Sequence, residues 1–239
     1  MIWLGIDTAN TPLSVAIVKD GAILAEVNSS MAVNHSLRAM PVIEELFETV
    51  QLKPKDIDAI AVSEGPGSYT GVRIGVTIAK TLAWTLKKPL VGVSSLKVLA
   101  ANALHFSGLI CPLVDARRNH VYAGVYEYVD GNLVAIHEDR HLGIEELLDS
   151  LVPLGRSILF VGKDVGMHEA LIMDKLNGNA VIAPFPMQLP RASSLIFIAQ
   201  QSEHEENTHA FTPEYRRIAE AEANWLMQQR KEKGSGSKN

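Results

Sequence analysis

The chain has 239 residues, of which 47% are hydrophobic and 21% charged, enough to bury a full core as one large or two small domains. Its net charge of −5 implies no broadly basic surface and argues against tight independent binding to nucleic acid, but leaves room for a locally basic face. The lone cysteine, Cys111, rules out an internal disulfide and suits a reducing compartment. Set in the apolar run Leu109–Val114, it reads as a small buried residue.

Met1–Asp7 lacks a basic stretch followed by a long apolar run, so no signal peptide is expected, and no apolar run is long enough to span a bilayer. A cytoplasmic protein without membrane contact is the expectation. In chain order, Ile2–Ile6 predicts a buried strand ending at Asp7, and Leu13–Val18 a second strand. Lys19-Asp20-Gly21 is a hairpin signal leading into a third strand, Ala22–Val27. Ser36–Val50 has helical spacing, with Met40, Ile43, Phe47 and Val50 along one face. Ile57–Val62 returns to strand, Glu64–Gly71 is a loop by composition, Val72–Leu86 a helix and Leu90–Val93 a strand. A linking helix, Leu96–Phe106, follows.

The order then begins again. Leu109–Val114 predicts a strand ending at Asp115, and Val121–Val129 and Leu133–His141 pair about Asp130-Gly131. Ile144–Leu151 is a helix, Ile158–Val161 a strand, Met167–Leu176 a helix and Val181–Ala183 a strand. Helices Ala192–Gln201 and Pro213–Arg230 close the chain before a polar, glycine-serine-rich tail at 230–239 that predicts disorder. Two halves of the same β-β-β-α-β-α-β order, each opening on a strand that ends in aspartate, predict a duplicated α/β fold. That pattern resembles the actin, hexokinase and Hsp70 class, the ASKHA fold. The expected division is a first lobe at 1–102, with the helices at about 192–229 packing back on it, and a second lobe at 103–191.

The densest local signal is Gly65-Pro-Gly-Ser-Tyr-Thr-Gly-Val-Arg-Ile-Gly75. Its glycines allow sharp turns and close backbone approach, Ser68 or Thr70 can cap the following helix, and free N–H groups at a helix start favour anions. Gly65, Gly67 and Ser68 are therefore candidates for phosphate or carboxylate binding, with a tight turn that aims a helix as the equal alternative. The segment is not a P-loop, since it lacks the lysine of that motif. Gly71, Gly75, Ala79 and Ala83 recur every fourth residue and form a smooth ridge. Such a ridge admits either a partner helix or the protein's own sheet. On the partner reading, Gly75→Leu would abolish partner binding and leave the fold intact.

The first helix starts with the capping residues Asn34 and Ser36, has Pro41 in or just beyond its first turn, and carries more apolar residues than one stripe needs. His35 at its start reads as a cap or interface residue. In ATP-using proteins of the fold, the aspartate ending each opening strand and the hairpin after it hold phosphate and metal. Here Asp7 and Thr8 open a hairpin, Thr8–Pro12, with no glycine and no lysine, and Asp115 is followed by Arg117 and Arg118, which suit structural pairing with it or, as the alternative, contact with a partner. These are degenerate phosphate loops, and weak nucleotide binding is the expectation. His137 and His141 lie four apart on a predicted strand, roughly 13 Å end to end at the usual rise, too far for one ion. His204 and His209 have one residue too many for a metalloprotease helix. No metal site is expected.

These stretches resemble one family, the bacterial TsaB proteins, also called YeaZ. The resemblance rests on Leu4-Gly-Ile-Asp-Thr8, on His35-Ser36 with Pro41 and Ile43-Glu-Glu-Leu46, and on Gly65–Gly75. Asp115-Ala-Arg-Arg-Asn-His-Val-Tyr122 and Pro213-Glu-Tyr-Arg216 add to it. It implies an ASKHA protein that is catalytically inactive alone and supports a TsaD-type transferase together with a TsaE-type ATPase. The assembly uses ATP and places a threonylcarbamoyl group on an adenosine beside the anticodon of tRNA. No cofactor would be held tightly by this chain itself. The resemblance also implies docking through the first two helices, and a homodimer through the same face when alone. The interface candidates are His35, Ser36, Leu37, Met40, Pro41, Ile43, Glu44 and Phe47 on the first helix. On the second they are Tyr69, Thr70, Gly71, Arg73, Gly75 and Ala79. The alternatives are a small-molecule kinase or other ATP-binding enzyme of the same fold, which would need a phosphate hairpin, and a peptidase, which would need metal ligands or a nucleophile.

Overall fold

A computed structural model of the chain describes residues 1–31, 34–202 and 211–212. The first half is β1 (Ile2–Asp7), β2 (Leu13–Lys19), β3 (Ala22–Ser29), α1 (His35–Thr49), β4 (Ala59–Gly65), α2 (Tyr69–Leu86) and β5 (Leu90–Ser94). A short helix, α3 (Ser95–Ala100), leads to the second half: β6 (Leu109–Asp115), β7 (His120–Val129), β8 (Asn132–Gly143), α4 (Ile144–Leu151), β9 (Ile158–Val161), α5 (Glu169–Leu176) and β10 (Ala180–Ile182). Helix α6 (Ala192–Ala199) ends the described secondary structure.

The first sheet has the order β3-β2-β1-β4-β5 and the second β8-β7-β6-β9-β10. In each half the opening strand is central, antiparallel to its hairpin neighbour and parallel to the strand after the first helix. The duplication expected from the element order is therefore present in the pairing, and the chain has the two-lobed ASKHA architecture. Alternation along β1 divides the packing. Leu4 and Ile6 point to a cluster under α1 and α2, while Trp3 joins α3, α6 and the inner face of the second sheet. A third cluster lies between the second sheet and the helices α4 and α5. The middle cluster is shared by both sheets, with Ala16 and Val91 from one and Ile110, Tyr126 and Val161 from the other.

Several boundaries differ from expectation. Strand β4 continues to Gly65, and α2 begins at Tyr69 rather than Val72, so the glycine-rich loop shrinks to Pro66–Ser68. The reason is a cap: the Ser68 hydroxyl accepts from the Gly71 N–H at 3.3 Å, which draws Gly71 into the helix. The linking helix stops at Ala100 and passes into a 3-10 turn, Ala101–Ala103. The predicted helix Pro213–Arg230 and the tail at 230–239 lie outside the described residues.

Helix α6 is pinned across the first sheet. Glu26 of β3, whose side chain is 8% exposed, accepts from the Ser193 N–H at 2.9 Å, from the Ser193 hydroxyl at 2.6 Å and from the Arg191 guanidinium. The Ser14 hydroxyl accepts from Ala192 N–H at 2.8 Å. Burial works to raise the Glu26 pKa, but the bonds from Arg191 and Ser193 outweigh it and hold the carboxyl below its ordinary value.

Candidate functional site

The turn after Asp7 is packed by the protein itself. Asp7 is fully buried, and both of its carboxylate oxygens are taken: one accepts from the Ser63 hydroxyl at 2.5 Å, the other from Ala9 N–H at 3.0 Å. Burial raises its pKa, against the lowering influence of those two bonds and of His35. Thr8 donates its hydroxyl to the Gly71 carbonyl at 2.7 Å. The glycine-rich segment presses directly on this turn. A Cβ at Gly67 would strike the Ala9 carbonyl, one at Gly71 the Thr8 carbonyl, and one at Gly75 the Thr8 hydroxyl. The Ser68 N–H donates to Ala9 and the Gly71 N–H to Ser68, so these donors are already committed where an anion-binding loop would present them.

This overturns the ridge as a partner surface. Gly71, Gly75, Ala79 and Ala83 are buried on the chain's own sheet and hairpin, while Ile74, Ile78 and Leu82 are only partly buried. Small residues are needed here because the β1–β2 turn lies against the start of α2, not because a second protein does. A comparable correction applies to α1. Ile43 and Phe47 belong to the core with Ala39, Val42 and Leu46, while Met40 turns outward. Five inward residues complete the stripe, and Met40 falls on the other side of the helix.

The outward side of α1 and α2 remains apolar. Leu37 is 70% exposed and Met40 44%, with Pro41, Ser36 and Glu44 also exposed. On α2, Tyr69 is 48% exposed in the first turn, with Thr70 exposed beside it, and Trp84 is 65% exposed in the last turn. The Arg73 guanidinium lies 4.6 Å from the centre of the Tyr69 ring and donates to its hydroxyl at 2.6 Å, which ties the two side chains to each other. Pro41 lies inside α1, where it leaves the Leu37 carbonyl without its intrahelical donor. Asn34 caps α1 by accepting from Ser36 N–H at 3.1 Å, and His35 Nε2 donates to the Asn10 carbonyl at 2.8 Å. His35 thus ties α1 to the same hairpin that α2 touches, while its buried Nδ1 has no partner among the described residues.

Trp84 is absent from the sequence-derived candidates. The signal that could find it is an aromatic residue off the small-residue ridge of α2. Also unforeseen is a buried tie between the halves, in which Asp139 of β8 accepts from the Tyr126 hydroxyl at 2.5 Å and from the Ser94 hydroxyl at the end of β5.

In the second half, Asp115 accepts from Arg117 N–H at 3.1 Å, and its own N–H donates to Asp164 at 3.0 Å. Asp115 therefore organises the turn through the backbone. Arg117, Arg118 and Asn119 all take left-handed conformations, with φ of 67°, 55° and 58°. His137 and His141 both lie on strand β8, as expected. Among the described residues no group of three or more histidine, cysteine or acidic side chains is placed to hold a metal ion. Cys111 is fully buried, and burial pushes its thiol up to about 12. His204, His209 and Pro213–Arg216 lie outside the described residues. No helix among the described residues is long and apolar enough to cross a membrane.

The family described as TsaD: tRNA N6-adenosine threonylcarbamoyltransferase matches residues 22–225. A tRNA threonylcarbamoyladenosine biosynthesis protein TsaB from Bacillus subtilis is 43% identical over 230 residues, covering 96% of this chain and 100% of that protein. The Escherichia coli protein of the same description is 37% identical over 126 residues, 52% of this chain and 54% of its own length. Among solved structures, YeaZ from Pseudomonas aeruginosa superimposes with a TM-score of 0.77 at 25% identity, covering 90% of this chain and 99% of that one.

Proposed function

This chain belongs to the TsaB family of tRNA threonylcarbamoyladenosine biosynthesis proteins, and on that footing we propose that it is a non-catalytic subunit that docks a TsaD-type transferase through the outer faces of α1 and α2. The observation that carries the reading is the exposed apolar surface on those helices, with Leu37, Met40, Tyr69 and Trp84 turned outward although the inner faces already complete the core. An exposed patch of this kind on two neighbouring helices is the ordinary mark of a protein interface. A standard interface buries about 1,600 Å² in total, of which two helices side by side supply a good part. In the free protein the same face pairs with a second copy.

The TsaE-type ATPase joins the assembly, tRNA is its substrate, and ATP is used by the complex rather than held tightly by this chain. Support for the last point is the buried Asp7 carboxyl with both oxygens occupied, and the Ser68 and Gly71 N–H groups already bonded within the chain. A kinase of the same fold would need those groups free for phosphate. The assembly works in the cytoplasm.

The test is reconstitution. The matching TsaD- and TsaE-type proteins, tRNA, ATP and threonylcarbamoyl-adenylate are combined with and without this chain, and modified adenosine is measured. Modification that requires the chain, while the chain alone neither modifies tRNA nor hydrolyses ATP, is the expected result. Equal modification without it would sink the reading.

A further inference from the structure

The net charge of the chain conceals one basic pole. The pairing of the first sheet brings four segments to a single end of it. Ile2 pairs with Lys19, Asp58 N–H donates to the Ile2 carbonyl, and Ile60 N–H donates to the Pro89 carbonyl. Lys19 therefore shares that end with Lys53 and Lys55, which precede β4, and with Lys87 and Lys88, which precede β5. Lys19, Lys53, Lys55 and Lys87 are exposed and Lys88 is half-buried.

Three aspartates, Asp20, Asp56 and Asp58, share this end of the sheet and offset part of its charge, Asp20 acting electrostatically on Lys19, but five lysines and the Met1 amine outnumber them. Asp20 holds the Met1 amine, Asp56 accepts from Lys53 N–H at 2.8 Å, and Asp58 accepts from Ile2 N–H at 2.7 Å. Each carboxylate is engaged by backbone or by the terminal amine, and none of the five lysines forms an ion pair among the described residues. Lys87 is also held at φ 54°, a left-handed position at the end of α2 where glycine is the favoured residue. A lysine stands there against the local backbone preference.

We propose that this pole grips the phosphodiester backbone of the tRNA on which the assembly acts. The inference rests on the tRNA-modifying reading above. Strands β2, β1, β4 and β5 are consecutive, so at about 4.8 Å per step the lysines spread over roughly 14 Å before their own reach is added. Such a row suits a polyanion with regularly spaced phosphates better than one small phosphate ester. The lysines sit on turns at the ends of sheet strands, not along an amphipathic helix of the kind that lies on lipid. The pole also borders the proposed docking face, since Trp84 lies on the last turn of α2, just before Lys87. RNA held here would run beside the transferase.

The experiment measures binding of labelled, unmodified tRNA to the full chain, alone at about 50 mM salt and in complex with the TsaD-type partner from about 50 to 200 mM. The variant carries Lys→Gln at positions 19, 53, 55, 87 and 88 together. At about 100 mM salt it should bind tRNA about tenfold more weakly or worse, and the slope of log affinity against log salt should fall by roughly 3–4. Lys→Arg at the same five positions should retain binding. Lys87→Gly should weaken tRNA binding while leaving the melting temperature unchanged or higher, which a purely structural lysine would not do.

Unchanged affinity and slope in the glutamine variant would overturn the proposal. So would lysine-dependent binding to vesicles containing about 30% phosphatidylserine with no effect on tRNA, because lipid would then be the partner. Size-exclusion chromatography of the complex separates the two failures. A complex that forms but binds tRNA independently of the lysines defeats this inference alone, whereas absence of the complex defeats the docking reading and leaves the chain-alone measurement to decide the lysines.

Discussion

The two halves share one strand order but differ in their helices. In the first half α1 spans His35–Thr49 and α2 Tyr69–Leu86; in the second, α4 spans only Ile144–Leu151 and α5 only Glu169–Leu176. Helix α4 turns Ile144, Leu147, Leu148 and Leu151 inward and leaves Glu145, Glu146 and Asp149 outside, so its apolar residues are all accounted for by its own sheet. Helices α1 and α2 complete their inner faces and still expose Leu37, Met40, Tyr69 and Trp84. The same fold asks for one buried face per helix, and apolar surface beyond that points to something outside the chain. The halves differ again at their opening turns. The start of α2 carries Gly71 and Gly75 against Thr8, whereas α5 has no glycine at all.

The largest effect that would break this contrast is steric. Gly75→Leu places a side chain where the Thr8 hydroxyl and Val62 already sit. It should destabilise the fold by about 3 kcal/mol or more, read as a fall in the denaturation midpoint. The sequence alone predicts loss of partner binding with an intact fold; the packing reverses that expectation. A variant that kept its full stability would show that the β1–β2 turn can move away from α2.

The second effect is on binding. Leu37→Asp with Trp84→Ala should weaken association with the TsaD-type partner by about 100-fold, roughly 3 kcal/mol, with little change in melting temperature because both side chains are exposed. Glu146→Ala on α4, the corresponding layer of the other half, should change neither quantity. Equal binding by the double variant would remove the outer face of α1 and α2 from the interface.

What was legible in the sequence follows from this difference. Period and turn residues located every described strand, because a strand needs only local alternation and a hairpin signal such as Asp20-Gly21 or Asp130-Gly131, where the aspartate and glycine both take positive φ. The orientation of a helix about its own axis was less legible. Ile43 and Phe47 share a predicted face with Met40, and Gly75 suits either a partner or the sheet, because a helix with apolar residues on more than one side offers several inward faces and the choice is made by what lies beneath. The outward position of Trp84 is hidden by the same ambiguity. The role of Glu26 was invisible locally, since its partners Arg191 and Ser193 are supplied from far along the chain.

Glu26 gives the third prediction. Its folded pKa is lowered, so it contributes stability above the ordinary carboxylate range and loses it as pH falls through the folded value. Glu26→Gln should therefore cost about 2 kcal/mol at pH 7, with the gap to wild type closing as the pH is lowered into the acid range. Chemical denaturation across pH measures this. A gap independent of pH would mean that packing of α6, not the charge, is what the substitution removes.

The smallest effect separates a remnant of phosphate chemistry from a structural carboxylate. Asp7 and Asp115 end equivalent strands, yet Asp7 is fully buried and Asp115 only partly. Burial raises the Asp7 pKa in spite of its bonds from Ser63 and Ala9, so the ionised form opposes folding at neutral pH. Asn at position 7 keeps an acceptor for Ala9 N–H and offers its amide to Ser63, whose hydroxyl must then turn. Removing a buried charge while keeping its shape is commonly neutral or stabilising. Asp7→Asn should thus leave stability unchanged or raise it by about 1 kcal/mol near pH 8. That advantage should shrink as pH falls through the raised pKa of the wild type and vanish below the ordinary value of 3.8, where both states of the wild type are neutral. Modification of tRNA by the reconstituted assembly should not change. A stable Asp7→Asn protein that abolished modification would give Asp7 a part in the chemistry, and the first half would then have kept the role that its filled hairpin argues it has lost.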